Sequence, residues 1–195
     1  SQCPNLETLS CVWNLLTSID LTNNTALTTL WCQNNQITSL DLSNSTALTH
    51  LYTGHNKLTS LDVSGTTALT FLNCERNQLP SLDVSQNVVL DTLICDLNDL
   101  ISLDVNNNTA LEYLSCKNNG LSNLNVGGAI NLRELNCNEN SISSLDVSQN
   151  THLEILSCEH NQLVNINISE NTNLERLNLF YNLLTSLDLS KNIKL

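Results

Sequence analysis

Apolar and polar positions alternate along this chain with a single period that never slips. Leucine stands at residues 6, 27, 48, 69, 90, 111, 132, 153 and 174, a spacing of 21 residues, and Leu195 opens a tenth copy. Counting each of these leucines as position 1, leucine also fills position 4 of every copy, from Leu9 to Leu177. Asparagine fills position 9, from Asn14 to Asn182. The consensus is LxxLxCxxNxLxxLDVSxNTA. Around "LxC" and around "LDV" every second residue is apolar, which is the periodicity of a strand with one buried face. Leu, Leu and Cys therefore point inward from the first half of a repeat, and Leu, Leu and Val from the second. About six apolar side chains per repeat are buried against neighbouring copies, each worth roughly 1.5–3 kcal/mol. One repeat cannot fold alone, but a stack can. The position-9 asparagine is expected to turn inward and bond main-chain groups of adjacent turns, because an interior amide has to be satisfied.

The first half of the consensus resembles the leucine-rich repeat, LxxLxLxxNxL, in nine in-register copies over the whole chain. The second half, LxxLDVSxNxx, repeats the same phrase, and this nesting is similar to the Irreko-type subclass found largely in bacterial proteins. The resemblance implies a leucine-rich-repeat solenoid of about nine 21-residue repeats forming one domain over residues 1–195. It further implies a parallel β-sheet on one face, a second short-strand ladder on the other, and little or no helix. "SQCPN" fits the end of a preceding copy, so both ends stop within a repeat and a segment of a larger protein is expected, with flanking domains or further repeats.

Cys11, Cys32, Cys74, Cys95, Cys116, Cys137 and Cys158 occupy position 6, where the other two copies carry Thr53 and Leu179. A slot that accepts threonine or leucine does not demand a thiol, and cysteine there reads as a small core hydrophobe. Parallel strands lie about 4.8 Å apart, and in-register side chains are poorly set for the roughly 90° disulfide torsion. No CxxC or histidine spacing points to zinc. Cys3 lies outside the row at a turn position, free or paired beyond this segment. Buried reduced thiols do not decide the redox compartment.

Position 15 is Asp20, Asp41, Asp62, Asp83, Asp104, Asp146 and Asp188, interrupted by Asn125 and Asn167. It lies between two inward residues and so faces solvent. Carboxylates one strand spacing apart repel, less so in salt, and an offset is expected. One source is hydrogen bonding to Ser or Thr at positions 12 and 13 and to nearby amides. Another is calcium bridging adjacent aspartates, Asp20 through Asp104 in particular; the two asparagines fit a continuous ion ladder poorly. A flat array also suits ordered water or ice, against which stand Pro80, Ile101 and Val164 at position 12. No other cofactor is implied.

All seven aromatic residues fall at positions 3, 5, 7 or 8, and none serves the core ladders. Stacking the copies places Trp31 beside Tyr52 in the position-5 row and His50 beside Phe71 in the position-3 row. Position 8 reads Trp13, Asn34, His55 and Arg76 over the first four copies. These residues, with Tyr113, form the candidate ligand-binding set: Trp13, Trp31, His50, Tyr52, His55, Phe71, Arg76 and Tyr113. Exposed aromatics with an arginine have the composition of a binding hot spot, and flat aromatic rows also suit sugar rings. The later copies carry Glu112, Glu134, Glu139, Glu154, Glu159 and Glu175 with Arg133 and Arg176, an acidic stretch suited to a basic partner.

The charge narrows the partners. A net charge of −12 with seven Lys and Arg argues against nucleic acid and anionic membranes, which need clustered positive charge. No apolar run is long enough to cross a bilayer. No targeting segment is visible at "SQCPNLETL", so any such segment is expected to have been removed or to lie outside. Catalysis has little to stand on. His152 sits in a turn, and His160 neighbours Glu139 as a candidate acid–base pair, but no nucleophile elbow, phosphate loop or HExxH occurs. Asn-x-Ser/Thr sequences at Asn23, Asn44, Asn107 and Asn167 read as turn chemistry. A non-catalytic binding or adhesion module for a protein or glycan is the leading expectation. Its rivals are a spacer or stalk of a larger surface protein and the substrate-recognition domain of a bacterial effector. A secreted or cell-surface location is implied by the resemblance to internalin-like bacterial proteins.

Overall fold

The structure, a computed structural model, describes residues 3–195. Eleven three-residue strands follow one another: β1 Thr8–Ser10, β2 Thr29–Trp31, β3 His50–Tyr52, β4 Phe71–Asn73, β5 Thr92–Ile94, β6 Ser102–Asp104, β7 Tyr113–Ser115, β8 Asn123–Asn125, β9 Glu134–Asn136, β10 Ile155–Ser157 and β11 Arg176–Asn178. Nine of them, all except β6 and β8, pair in parallel and in chain order into one sheet. The register sets like on like: Leu9 opposite Leu30, Leu30 opposite Leu51, Leu51 opposite Leu72. Strands β6 and β8 form the second ladder, on the other side. That ladder is shorter than the repeat pattern predicts; it joins two copies, and the equivalent segments of the other copies lie outside any strand. The described residues contain no helix.

The core follows the alternation. Position 4 is fully buried from Leu30 to Leu156, as are the position-1 leucines from Leu27 to Leu174 and the position-6 thiols from Cys32 to Cys158. Val63, Val84, Val105, Val126 and Val147 close the opposite wall. All cysteines are free, Cys3 being exposed. The thiols take part in the stacking: Cys32 Sγ donates to the Tyr52 carbonyl at 3.4 Å and Cys95 Sγ to the Ser115 carbonyl at 3.5 Å. Thr53 occupies the same slot and makes the same bond, its hydroxyl donating to the Asn73 carbonyl at 3.3 Å. Cys137 Sγ lies 3.3 Å from Cys158 Sγ. Burial pushes the Cys32 and Cys74 thiols up to about 12, so they stay protonated and apolar.

Asparagine holds the turns together. Asn56 Nδ2 donates to the carbonyls of Thr53 and, in the preceding turn, Cys32, both at 3.0 Å, while its Oδ1 accepts from Ile37 N at 2.9 Å. The same arrangement recurs at Asn77, Asn98, Asn140 and Asn161. A second asparagine row, at position 19, is equally interior. Asn87 Nδ2 donates to the Val63 and Thr66 carbonyls at 3.1 and 2.9 Å, and Asn108, Asn150, Asn171 and Asn192 follow suit. Their Oδ1 atoms have no protein partner.

The aspartate row is offset locally. Asp83 Oδ1 accepts from Ser85 N at 2.9 Å, and Asp62 Oδ1 accepts from both Ser64 N and its hydroxyl at 2.9 and 2.7 Å. The partners are thus the nearby amides that the sequence suggests, with the serine hydroxyl of the same position 17, two residues on, and not the hydroxyls of positions 12 and 13. The carboxylate closes an Asx turn onto its own backbone, and these bonds hold Asp62 and Asp83 below the ordinary carboxylate value. Asn125 and Asn167 interrupt the row without breaking it, because their Oδ1 atoms accept from Gly127 N and Ser169 N at 3.3 and 3.1 Å.

Candidate binding face

In every copy the strand occupies positions 3 to 5. Position 4 is pinned inward, so positions 3 and 5 stand out from the large sheet. In the first four copies this places four rings in adjoining rows. Trp31 and Tyr52 have centroids 5.9 Å apart at 31°, Tyr52 and Phe71 stack at 4.6 Å and 28°, and His50 and Phe71 stack at 6.1 Å and 13°. All four are half-buried. The sequence rows predict the pairs Trp31–Tyr52 and His50–Phe71; the structure joins them into one column through the Tyr52–Phe71 stack.

The strand is followed by a left-handed residue. Trp13, Asn34, His55, Arg76, Leu97, Asn118, Glu139, His160 and Tyr181, every position 8, have φ between 48° and 58°. Asparagine tolerates this region and bulky side chains do so at a cost. Asn34, Asn118, His55 and His160 are types enriched in this region, so Trp13, Arg76, Leu97, Glu139 and Tyr181 are the side chains that the turn itself does not favour. His55 and Arg76 lie on this edge beside the ring column, and His55 Nε2 is 3.7 Å from Glu75 Oε1. Trp13 stands at the first copy, 80% exposed and apart from the column.

Tyr113 is also apart from it, two strands beyond Phe71 in the position-3 row. It lines a shallow trough of about 480 Å³ with Asp91, Glu112, Arg133, Glu134 and Glu154. Burial and the nearby Glu134 push the Tyr113 phenol up. Arg133 is held between Glu154 Oε1 at 2.6 Å and Glu112 Oε2 at 3.6 Å, while Asp91 and Glu134 form no ion pair among the described residues. The candidate set is therefore two places on one face: rings with His55 and Arg76 over the early copies, and Tyr113 in an acidic trough over the later ones.

A family model for leucine-rich repeats (2 copies) matches residues 25–65. The functional domain of InlJ from Listeria monocytogenes, which includes a cysteine ladder, superposes with a TM-score of 0.95 at 42% identity, covering 98% of this chain and 43% of that one. The chain belongs to the leucine-rich repeat family. Among other leucine-rich repeat structures, internalin InlF from Listeria monocytogenes aligns at 25% identity and a TM-score of 0.79, over 89% of this chain and 54% of that one. The LRR protein LIC12759 of Leptospira interrogans shares the fold at 24% identity and a TM-score of 0.88, over 98% and 53%. The chain thus spans about half the length, or less, of these three structures. No curated protein sequence matches it.

Within this leucine-rich repeat array the chemistry is sparse. His160 does not pair with Glu139; its ring stacks on Tyr181 at 4.5 Å and meets Phe180 edge-on at 6.1 Å. Among the described residues no three His, Cys, Asp or Glu side chains gather as a metal site, and no helix is long and apolar enough to cross a membrane. One buried carboxylate escaped the sequence reading. Asp96 Oδ1 accepts from the Ser115 hydroxyl at 2.7 Å and from Lys117 N at 2.9 Å, with Lys117 Nζ 3.5 Å from Oδ2. Its partners lie one repeat on, at 19 and 21 residues, a signal visible only once the copies are stacked.

Proposed function

We propose that the chain is a non-catalytic binding module that recognises a protein or glycan through the face of the large sheet, within a secreted or surface protein of a bacterium. The observation that carries this reading is the column Trp31–Tyr52–Phe71–His50. Four rings are gathered outside the core of a chain that has few aromatics, on positions the fold leaves free. Residue choice at the left-handed edge points the same way, since Arg76 sits where asparagine is easier for the backbone. The likeness to the internalins supports the bacterial surface or secreted setting.

The rival is a spacer, favoured by the strict regularity of the repeats. A screen of glycans and host proteins against wild type and Trp31→Ala/Tyr52→Ala separates the two. A binder lost in the double variant supports the module, and its absence against folded wild type supports the spacer. A chelator arm tests the aspartate row. Binding is expected to be unchanged, because Asx turns already offset the row and Asn125 and Asn167 interrupt its charge; loss with chelator would make the row a calcium site.

A further inference from the structure

The way the rings pack bears on what they hold. A sugar packs on an aromatic side chain by lying on its face, and a pyranose between two rings needs their planes about 7 Å apart, two van der Waals contacts. Tyr52 and Phe71 are 4.6 Å apart and stacked, Trp31 follows at 5.9 Å, and His50 lies over Phe71 at 6.1 Å. The inner faces of the column are therefore spent on one another, and the column offers its edges to solvent. Ring edges receive apolar side chains and the faces of other rings, as a polypeptide supplies.

The charge beyond the column says what kind of polypeptide. Phe71, Thr92, Tyr113 and Glu134 follow one another in a single register row. Parallel strands lie about 4.8 Å apart, so three steps carry the row roughly 14 Å from the rings into the trough. There Asp91, Glu112, Glu134 and Glu154 surround one guanidinium, and Arg133 is already shared by two of them. An extended chain advances about 3.3 Å per residue, so ring column and trough are about four residues apart for a segment crossing the strands.

Resting on the binding-face reading, we propose that the partner is a protein that lays an extended segment across the sheet. It sets an apolar side chain against the edge of the Tyr52–Phe71 stack and, about four residues away, lysine or arginine in the trough at Glu134. The apolar anchor supplies the desolvated centre and the basic residues orient the segment and hasten its arrival.

Selection of a random peptide library on the wild-type protein tests this, followed by fluorescence anisotropy of the enriched peptides. Peptides pairing an aromatic or aliphatic residue with a basic one about four residues away are expected. Replacing either residue should weaken binding about tenfold or more, as should Phe71→Ala or Glu134→Lys in the protein, and added salt should weaken it further. The peptide replacements are read on unaltered protein, so they stand whether or not a protein variant folds. Enriched peptides that are basic but indifferent to loss of the apolar residue would overturn the inference, as would no enrichment. A neutral oligosaccharide such as maltohexaose binding in place of peptides, and lost in Phe71→Ala, would also overturn it while leaving the binding face intact. Absence of any ligand in the wider screen removes the binding face itself.

Discussion

At the scale of the residue, asparagine carries the fold's polar requirements and cysteine its volume. Asn98 Nδ2 donates to the carbonyls of Cys74 and Cys95 at 3.0 and 3.1 Å, and its Oδ1 accepts from Leu79 N at 3.1 Å, all in a buried setting. Truncation leaves Leu79 N without its acceptor, while the Cys74 and Cys95 carbonyls each keep a second asparagine donor, Asn77 and Asn119; a buried unsatisfied group costs about 1–3 kcal/mol. Asn98→Ala is expected to lower stability by about 1–3 kcal/mol in urea titration, more than Asn118→Ala at a half-buried turn. The thiols should be silent. Burial raises them, Cys32 and Cys74 up to about 12, so a thiol reagent at pH 8 should modify Cys3 rapidly and Cys32, Cys74 and Cys95 only after unfolding. The inward role of cysteine was legible because Thr53 and Leu179 share its slot. The left-handed conformation of position 8 was not, because Trp13 and Arg76 mask a preference that Asn34, His55 and Asn118 show.

At the scale of the element, each turn is a local device repeated with variations. The Asx turn after position 15 takes Asp or Asn, which is why Asn125 and Asn167 are accepted. Sequence alone placed the aspartates outward and expected nearby amides as partners, but it did not single out position 17, where serine stands in most copies. Hydrogen bonds from Ser85 lower the Asp83 carboxyl. A group depressed in the folded state contributes stability above its unfolded value, about 3.9, and loses it as pH falls through the folded one. The urea midpoint should therefore drop as pH falls below about 4, and Asp83→Asn should flatten its share of that drop while keeping the turn at pH 7. Another variation is rigid. A Cβ on Gly128 would sit 1.7 Å from the Asn106 carbonyl oxygen. Gln86 and Gln149 fill the equivalent position elsewhere, yet Gly128→Gln is expected to cost about 1–3 kcal/mol by thermal or urea unfolding, as overpacking does.

At the scale of the whole molecule, nine copies vote on every assignment, which made phase, register and the inside of the solenoid readable from sequence. Side-chain geometry on the outer face has no such redundancy. Trp31, Tyr52, Phe71 and His50 each occur once at their place, so their adjacency was readable and their mutual stacking, which covers the faces, was not. The stack is also graded along its length. Leu114 is fully buried in the middle, whereas Leu177 is only partly so in the last complete copy. Leu114→Ala should cost about 2–5 kcal/mol, the range of a fully buried leucine, and Leu177→Ala distinctly less, read as the shift in urea midpoint. The asparagine bonds of each turn reach only the turn before it. Duplicating or deleting any block of 21 residues therefore leaves every surviving asparagine with carbonyl partners of the same kind. A gene built this way can lengthen or shorten by unequal recombination without inventing a new core, and the same step slides the ring column nearer to the trough or farther from it, one strand spacing at a time.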